Sequence, residues 1–133
     1  MKNIEDREQM AVVEWAFFVR IPKSIARVGE YLIAIPNAGM RSARVGAKFK
    51  KMGMKPGVSD LFLAYPSFPC SGLWIEMKKP RREFNTPREA ATAVTDNQQE
   101  WLDKMNARGY MAKVAYGADE AIAIIKNYLG IQL

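Results

Sequence analysis

Two short segments constrain this chain more than any others. Residues 60–65, DLFLAY, and residues 73–78, LWIEMK, both alternate at the period of two that belongs to a strand. PSFPCSG lies between them and is made of turn formers, so the pair reads as an antiparallel hairpin. Asp60, Phe62 and Ala64 share one face of the first strand. Trp74, Glu76 and Lys78 share one face of the second, with Leu73, Ile75 and Met77 on the other. An antiparallel hairpin lays the start of its first strand beside the end of its second. Asp60 is thereby brought to Glu76 and Lys78, three charges where a plain hairpin has something apolar or neutral.

The rest of the chain supplies helices to cover such a sheet. Ile4, Met10, Val13 and Phe17 recur at helical spacing and predict a first helix to about Phe18, with acids at its start to suit the macrodipole. YLIAIP (31–36) predicts a short buried strand, and NAG (37–39) a turn. RSARVGAKFKKMG reads as a basic helix closed by Gly53. Residues 79–94 are polar, with two prolines, and read as an irregular, mobile loop that can include one helical turn. A helix capped by Thr95 or Asp96 runs to Gly109; YMAKVAY is a strand; ADEAIAIIKNYLG is an amphipathic helix stopped by Gly130. The order α-β-α-β-β-α-β-α predicts an α/β or α+β sandwich, one mixed sheet with helices packed on it. At 133 residues the chain fits one domain, 1–133, large enough to bury a core without staples.

Composition narrows the chemistry. No histidine is present, which removes Ser-His-Asp and Cys-His catalysis, histidine-ligated zinc and histidine general bases. The single cysteine, Cys70, excludes an internal disulfide and points to a reducing, cytoplasmic compartment, a phage protein in its host's cytoplasm included. The start MKNIEDREQM is too polar for a secretory signal, and no apolar run reaches membrane-spanning length. Twenty basic residues against 14 acidic ones give +6, a balance that favours a polyanionic partner, nucleic acid first.

Two carboxylates converging at a sheet end repel each other unless something relieves them, and a hard divalent cation with a preference for oxygen does so. Asp60 and Glu76 suffice as protein ligands for Mg²⁺ or Mn²⁺, with the carbonyl of Met77 as a third. Lys78 then orients or deprotonates a water and stabilises charge developing on phosphorus. Glu-x-Lys on one strand face is also what a surface ion pair looks like, and such a pair is worth little. Trp74 on the same face, among large apolar neighbours, argues against a solvated face.

These residues resemble the VRR-NUC family, a branch of the PD-(D/E)xK nuclease superfamily. The likeness runs from about Glu5 to Leu129. EDREQMAVVEWA is similar to the family's first helix, with Glu5 and Gln9 in its acidic and glutamine positions. AIPNAGMRSARVGAKFKKMGMKPGVSDLFLA is similar to its central block, LWIEMKKP to its Glu-x-Lys strand, TDNQQEWLDKMNARGY to its glutamine-bearing helix, and ADEAIAIIKNYL to its closing helix. The resemblance implies a restriction-endonuclease-like core and a metal-dependent DNA endonuclease. It implies Asp60 and Glu76 as metal ligands, Lys78 as the catalytic lysine, Glu5 as a further acid at the metal, and Gln98 in support. Ser59 stands where the family has proline. The 79–94 stretch exceeds the family's usual link, which leaves Gln98 and its neighbour Gln99 as alternatives for the motif glutamine.

Small stand-alone members of the family look like Holliday-junction resolvases, and two symmetric cuts call for a two-fold dimer. The first helix, residues 20–30 and the last helix are the expected interface. A nickase or flap-type endonuclease, or a non-catalytic DNA-binding accessory protein, is the alternative. Arg41, Arg44, Lys48 and Lys51 fall at spacings of three and four, with Lys50 beside them and Lys55 just after, and read as phosphate contacts. Asn37 and Gly39 precede that helix and can offer backbone N–H groups to a phosphate. Lys79, Arg81 and Arg82 follow the Glu-x-Lys strand and can line a substrate groove. Trp15 and Trp101 read as core.

Overall fold

A computed structural model describes residues 3–36 and 43–132. Among these residues, five helices and four strands follow the predicted order, with one helix added: α1 (Asn3–Phe18), β1 (Leu32–Ala34), α2 (Ala43–Lys51), β2 (Leu61–Leu63), β3 (Leu73–Lys78), α3 (Pro87–Thr92), α4 (Asp96–Ala107), β4 (Met111–Tyr116) and α5 (Ala118–Leu129). The strands form one sheet in the order β1-β2-β3-β4. β1, β2 and β3 pair antiparallel, and β3 and β4 pair parallel, with α3 and α4 making the crossover that a parallel pair requires. The α+β class expected from the order of elements is therefore observed.

One face of the sheet carries the main core. Leu61, Leu63, Leu73, Ile75 and Met77 pack with Val12 and Ala16 of α1 and with Ala121, Ile125 and Tyr128 of α5. Val12 and Ala16 lie one residue before Val13 and Phe17. The stripe that announced the helix thus points outward: Met10 is 62% exposed, Val13 43% and Phe17 67%. A helix with two apolar sides leaves the choice between them to tertiary packing.

The strand expected to be buried is an edge. Only Leu32 of β1 is buried, because β1 has a neighbour on one side alone. Of the hairpin strands, β3 is central and is buried on both faces except at Trp74. Trp15 is half-buried against the main core, as is Cys70, while Trp101 belongs to the opposite face of the sheet. On that face α4 packs through an aromatic cluster: Trp74 meets Trp101 edge-on at 5.2 Å and Phe62 at 4.2 Å. Asn106 ties α4 to the β4 backbone, donating to the Ala112 carbonyl at 3.0 Å and accepting the Ala112 N–H at 2.9 Å.

Residues 79–94 are ordered rather than irregular. A 3-10 turn (Arg81–Glu83) leads to α3, which Thr86 caps by accepting the Glu89 N–H. Tyr116, at the end of β4, donates its hydroxyl to the Ala90 carbonyl at 2.8 Å, and Ala90 is buried. The composition of the segment is that of a loop; long-range contacts from Tyr116 and Glu120 make it a wall. No helix among the described residues is long and apolar enough to cross a membrane.

Candidate active site

The hairpin register decides what meets at the sheet end. Leu61 pairs with Ile75, so the next pair outward is Asp60 with Glu76. Asp60 is held there by backbone on both sides: its Oδ2 accepts the Met77 N–H at 2.7 Å, and its carbonyl accepts the Ile35 N–H at 2.8 Å. Glu76 and Lys78 project from the same face of a central strand, which is why they are only 3% and 7% exposed. Lys78 Nζ lies 3.8 Å from Glu76 Oε2.

Lys78 has a second and closer partner. Its Nζ donates to Gln98 Oε1 at 2.9 Å. Gln98 is the third residue of α4, and its side chain also closes a capping box with Thr95. Gln98, and not Gln99, is therefore the glutamine that reaches Lys78; Gln99 donates to Asp103 along the outside of α4. Gly57 brings the chain leading to Asp60 directly against Asn97, at a φ of +86°, with no room for a Cβ. The start of α4 is thus packed between that chain and Lys78.

Burial and crowding control Glu76. Desolvation first, then the neighbouring Asp60 and the proton that two carboxyls can share, push its pKa up to about 9; Lys78 opposes this and Glu5 adds to it. Among the described residues, buried Glu76 Oε1 has no hydrogen-bond partner. A buried carboxyl oxygen left unpaired is costly, and a structural ion pair gives no reason to leave one. Two carboxylates, an orphan oxygen and an all-oxygen donor set fit a hard divalent cation. Among the described residues no three acidic or sulfur groups converge. Glu5 reaches Glu76 through its charge and does not complete a triad. The Met77 N–H is committed to Asp60 and its side chain is in the core. Ser59 is fully buried, and its hydroxyl also lacks a partner among the described residues.

A solved structure described as a "VRR_NUC domain protein" superposes on this chain with a TM-score of 0.77, at 28% sequence identity, over 96% of this chain and 89% of that one. The fold of this chain is that of a VRR-NUC domain. No family model and no curated protein matches the sequence.

The residues expected to contact DNA fall into three groups. Asn37, Gly39 and Arg41 lie outside the described residues. Arg44, Lys48, Lys50 and Lys51 are exposed on α2, with Lys55 exposed after it. Among the three that follow β3, Lys79 sits over the Phe84 ring at 4.6 Å and Arg82 is exposed. Arg81 is engaged elsewhere: it donates to Glu120 at 2.6 Å and stacks on Tyr116 at 4.1 Å. Its guanidinium is spent on the protein, which the sequence did not signal because Glu120 is 39 residues away. Sequence reasoning also passed over Glu8. It accepts the Ala118 N–H at 2.8 Å, capping α5 from α1, and no local pattern marks it. Gln9 instead lines a shallow groove on the outer side of α1.

Proposed function

We propose that this VRR-NUC domain is a divalent-metal-dependent DNA endonuclease. The observation that carries the reading is the meeting of Asp60 and a buried, half-unpartnered Glu76 beside a lysine that Gln98 holds by its head group. Asp60 and Glu76 would hold the cation, with the Met77 carbonyl as a further oxygen donor and Glu5 adding negative charge nearby. When bound, Mg²⁺ or Mn²⁺ supplies Lewis-acid stabilisation of charge on the phosphate and lowers the pKa of water. Lys78 orients the attacking water or takes its proton, and its charge stabilises the oxygens of phosphorus as negative charge builds. Gln98 limits where the Lys78 head can go, so the ammonium is set before substrate arrives. Arg44, Lys48 and Lys51 of α2 take backbone phosphates.

The preferred substrate on this reading is a four-way junction, cut as a dimer. Met10, Val13 and Phe17 give α1 an outward apolar stripe, continued by Phe18 at 69% and Ile25 at 89% exposure. Solvent-facing apolar residues in such a row favour a protein contact. Asp6, Gln9, Met10, Val13 and Glu14 line a groove of about 450 Å³ along the same stripe. α1 covers the sheet face opposite α4, so pairing through it leaves the Lys78–Gln98 side open to DNA.

An endonuclease assay tests both levels. Linear, nicked, flapped and four-way DNAs are incubated with Mg²⁺, Mn²⁺ or EDTA. Metal-dependent cutting that EDTA abolishes is expected, with paired symmetric cuts in the junction. Cutting confined to flaps or nicks replaces the junction reading with a nickase or flap endonuclease. Binding without cutting under any metal leaves a non-catalytic accessory protein.

A further inference from the structure

Residues 79–97 leave the candidate site and come back to it. The segment departs from Lys78 and returns at Gln98, and the 2.9 Å bond between those two side chains closes the excursion. Both ends of the segment therefore lie beside Lys78.

It is also held from outside. Arg81 donates to both carboxylate oxygens of Glu120, at 2.6 and 3.4 Å, and lies over the Tyr116 ring. Phe84 meets the same ring edge-on at 6.1 Å, and the Tyr116 hydroxyl reaches Ala90 further along. Glu120 accepts the Tyr116 N–H at 3.0 Å, so the two gripping residues are themselves joined. Tyr116 is the register partner of Lys78, which sets this grip at the catalytic end of the sheet. Two arginines of the segment are not spent on it. Arg82 makes only a loose 3.9 Å approach to Glu83 with its side chain 75% exposed, and Arg88 is exposed with no ion pair among the described residues.

We propose that residues 79–94 form a preorganised second jaw for the DNA backbone, distinct from α2. Arg82 and Arg88 hold phosphates, and Arg81, Tyr116 and Glu120 are positioning residues that fix the jaw beside Lys78. The proposal rests on the DNA reading above and names where that DNA is held near the scissile bond. Ordering the segment before binding removes an entropy cost that a free loop would bear on complex formation. It also gives a surface carboxylate, Glu120, a favourable role in binding a polyanion, against its direct charge repulsion.

That opposition of signs makes the test sharp. Binding to a four-way junction and to a linear duplex is followed by fluorescence anisotropy in EDTA over a salt series, with thermal melts as a check on folding. R82A/R88A is expected to weaken binding about tenfold or more near 0.1 M salt and to flatten the log–log salt slope by roughly two units. E120Q is expected to weaken binding severalfold, as R81A does, and R81K is not expected to restore it, since lysine cannot make the two-pronged contact. Y116F keeps the ring and loses only the bond to Ala90; a smaller loss in the same direction is expected. Tighter binding by E120Q, or an unchanged salt slope in R82A/R88A, overturns the jaw. A wild-type protein that neither binds nor cuts DNA overturns the nuclease reading instead; one that cuts while these variants bind normally overturns the jaw alone.

Discussion

Lys78 and Gln98 are joined by a 2.9 Å hydrogen bond, Nζ to Oε1, and the same oxygen accepts the backbone N–H of Thr95 at 2.9 Å. One side-chain atom thus starts a helix and positions a catalytic candidate. Gln98→Ala should lose both functions: about 1 kcal/mol of stability from the broken cap, and at least tenfold in single-turnover cleavage. Gln98→Glu retains an acceptor at the third helical position, so its stability should stay within about 0.5 kcal/mol of wild type. Matching cleavage rates for wild type and Gln98→Ala would remove Gln98 from the site.

Lys78→Met keeps the buried stem and removes the charge. Folding and DNA affinity in EDTA should change little, while cleavage falls by about 100-fold or more. Unchanged cleavage would reduce Lys78 to an ion-pair partner of Glu76.

Glu76 makes the protein sensitive to pH in a defined direction. Its folded pKa, about 9, lies above the ordinary 4.5, so the folded state binds the proton more tightly than the unfolded chain. Its stabilising contribution is full below about 4.5 and is lost as pH rises toward about 9. Glu76→Gln should flatten that decline and raise stability at pH 7 by on the order of 2 kcal/mol. A cation must displace the same proton. Calorimetry in buffers of different ionisation enthalpy should therefore show release of close to one proton per Mg²⁺ or Mn²⁺ at pH 7. Zero release at pH 7 would mean that the cation does not engage Glu76.

Replacing Arg44, Lys48 and Lys51 with alanine should weaken binding to all sequences alike. The salt slope should flatten by roughly one unit per lost phosphate contact. A slope that does not move would clear α2 of phosphate contact.

Val13→Asp with Phe17→Asp puts two charges on the outward stripe of α1, away from Lys78 and Gln98. Sedimentation should shift from about twice the 15.0 kDa chain mass to the chain mass itself. Cutting of a simple nicked or flapped substrate should persist while paired junction cuts are lost. A wild-type protein that sediments as a monomer and still makes paired cuts would end the dimer argument.

Much of this was legible in the order of residues because it is local. The alternation in LWIEMK, the turn formers before it, the Thr95–Gln98 spacing and the glycines at 53, 109 and 130 act over a few residues, and each produced its element. The convergence of Asp60 on Glu76 was legible too, since a hairpin turns sequence distance into register. The rest depended on which surfaces met. α1 carries apolar residues on two sides, and only contact with α5 and the sheet buried Val12 and Ala16 and left Met10, Val13 and Phe17 in solvent. Residues 79–94 have a loop's composition, and Tyr116 and Glu120, distant in sequence, gave them order. The pKa of Glu76 likewise belongs to no motif. It comes from burial in a central strand against a second carboxyl, and burial is a property of the assembled fold.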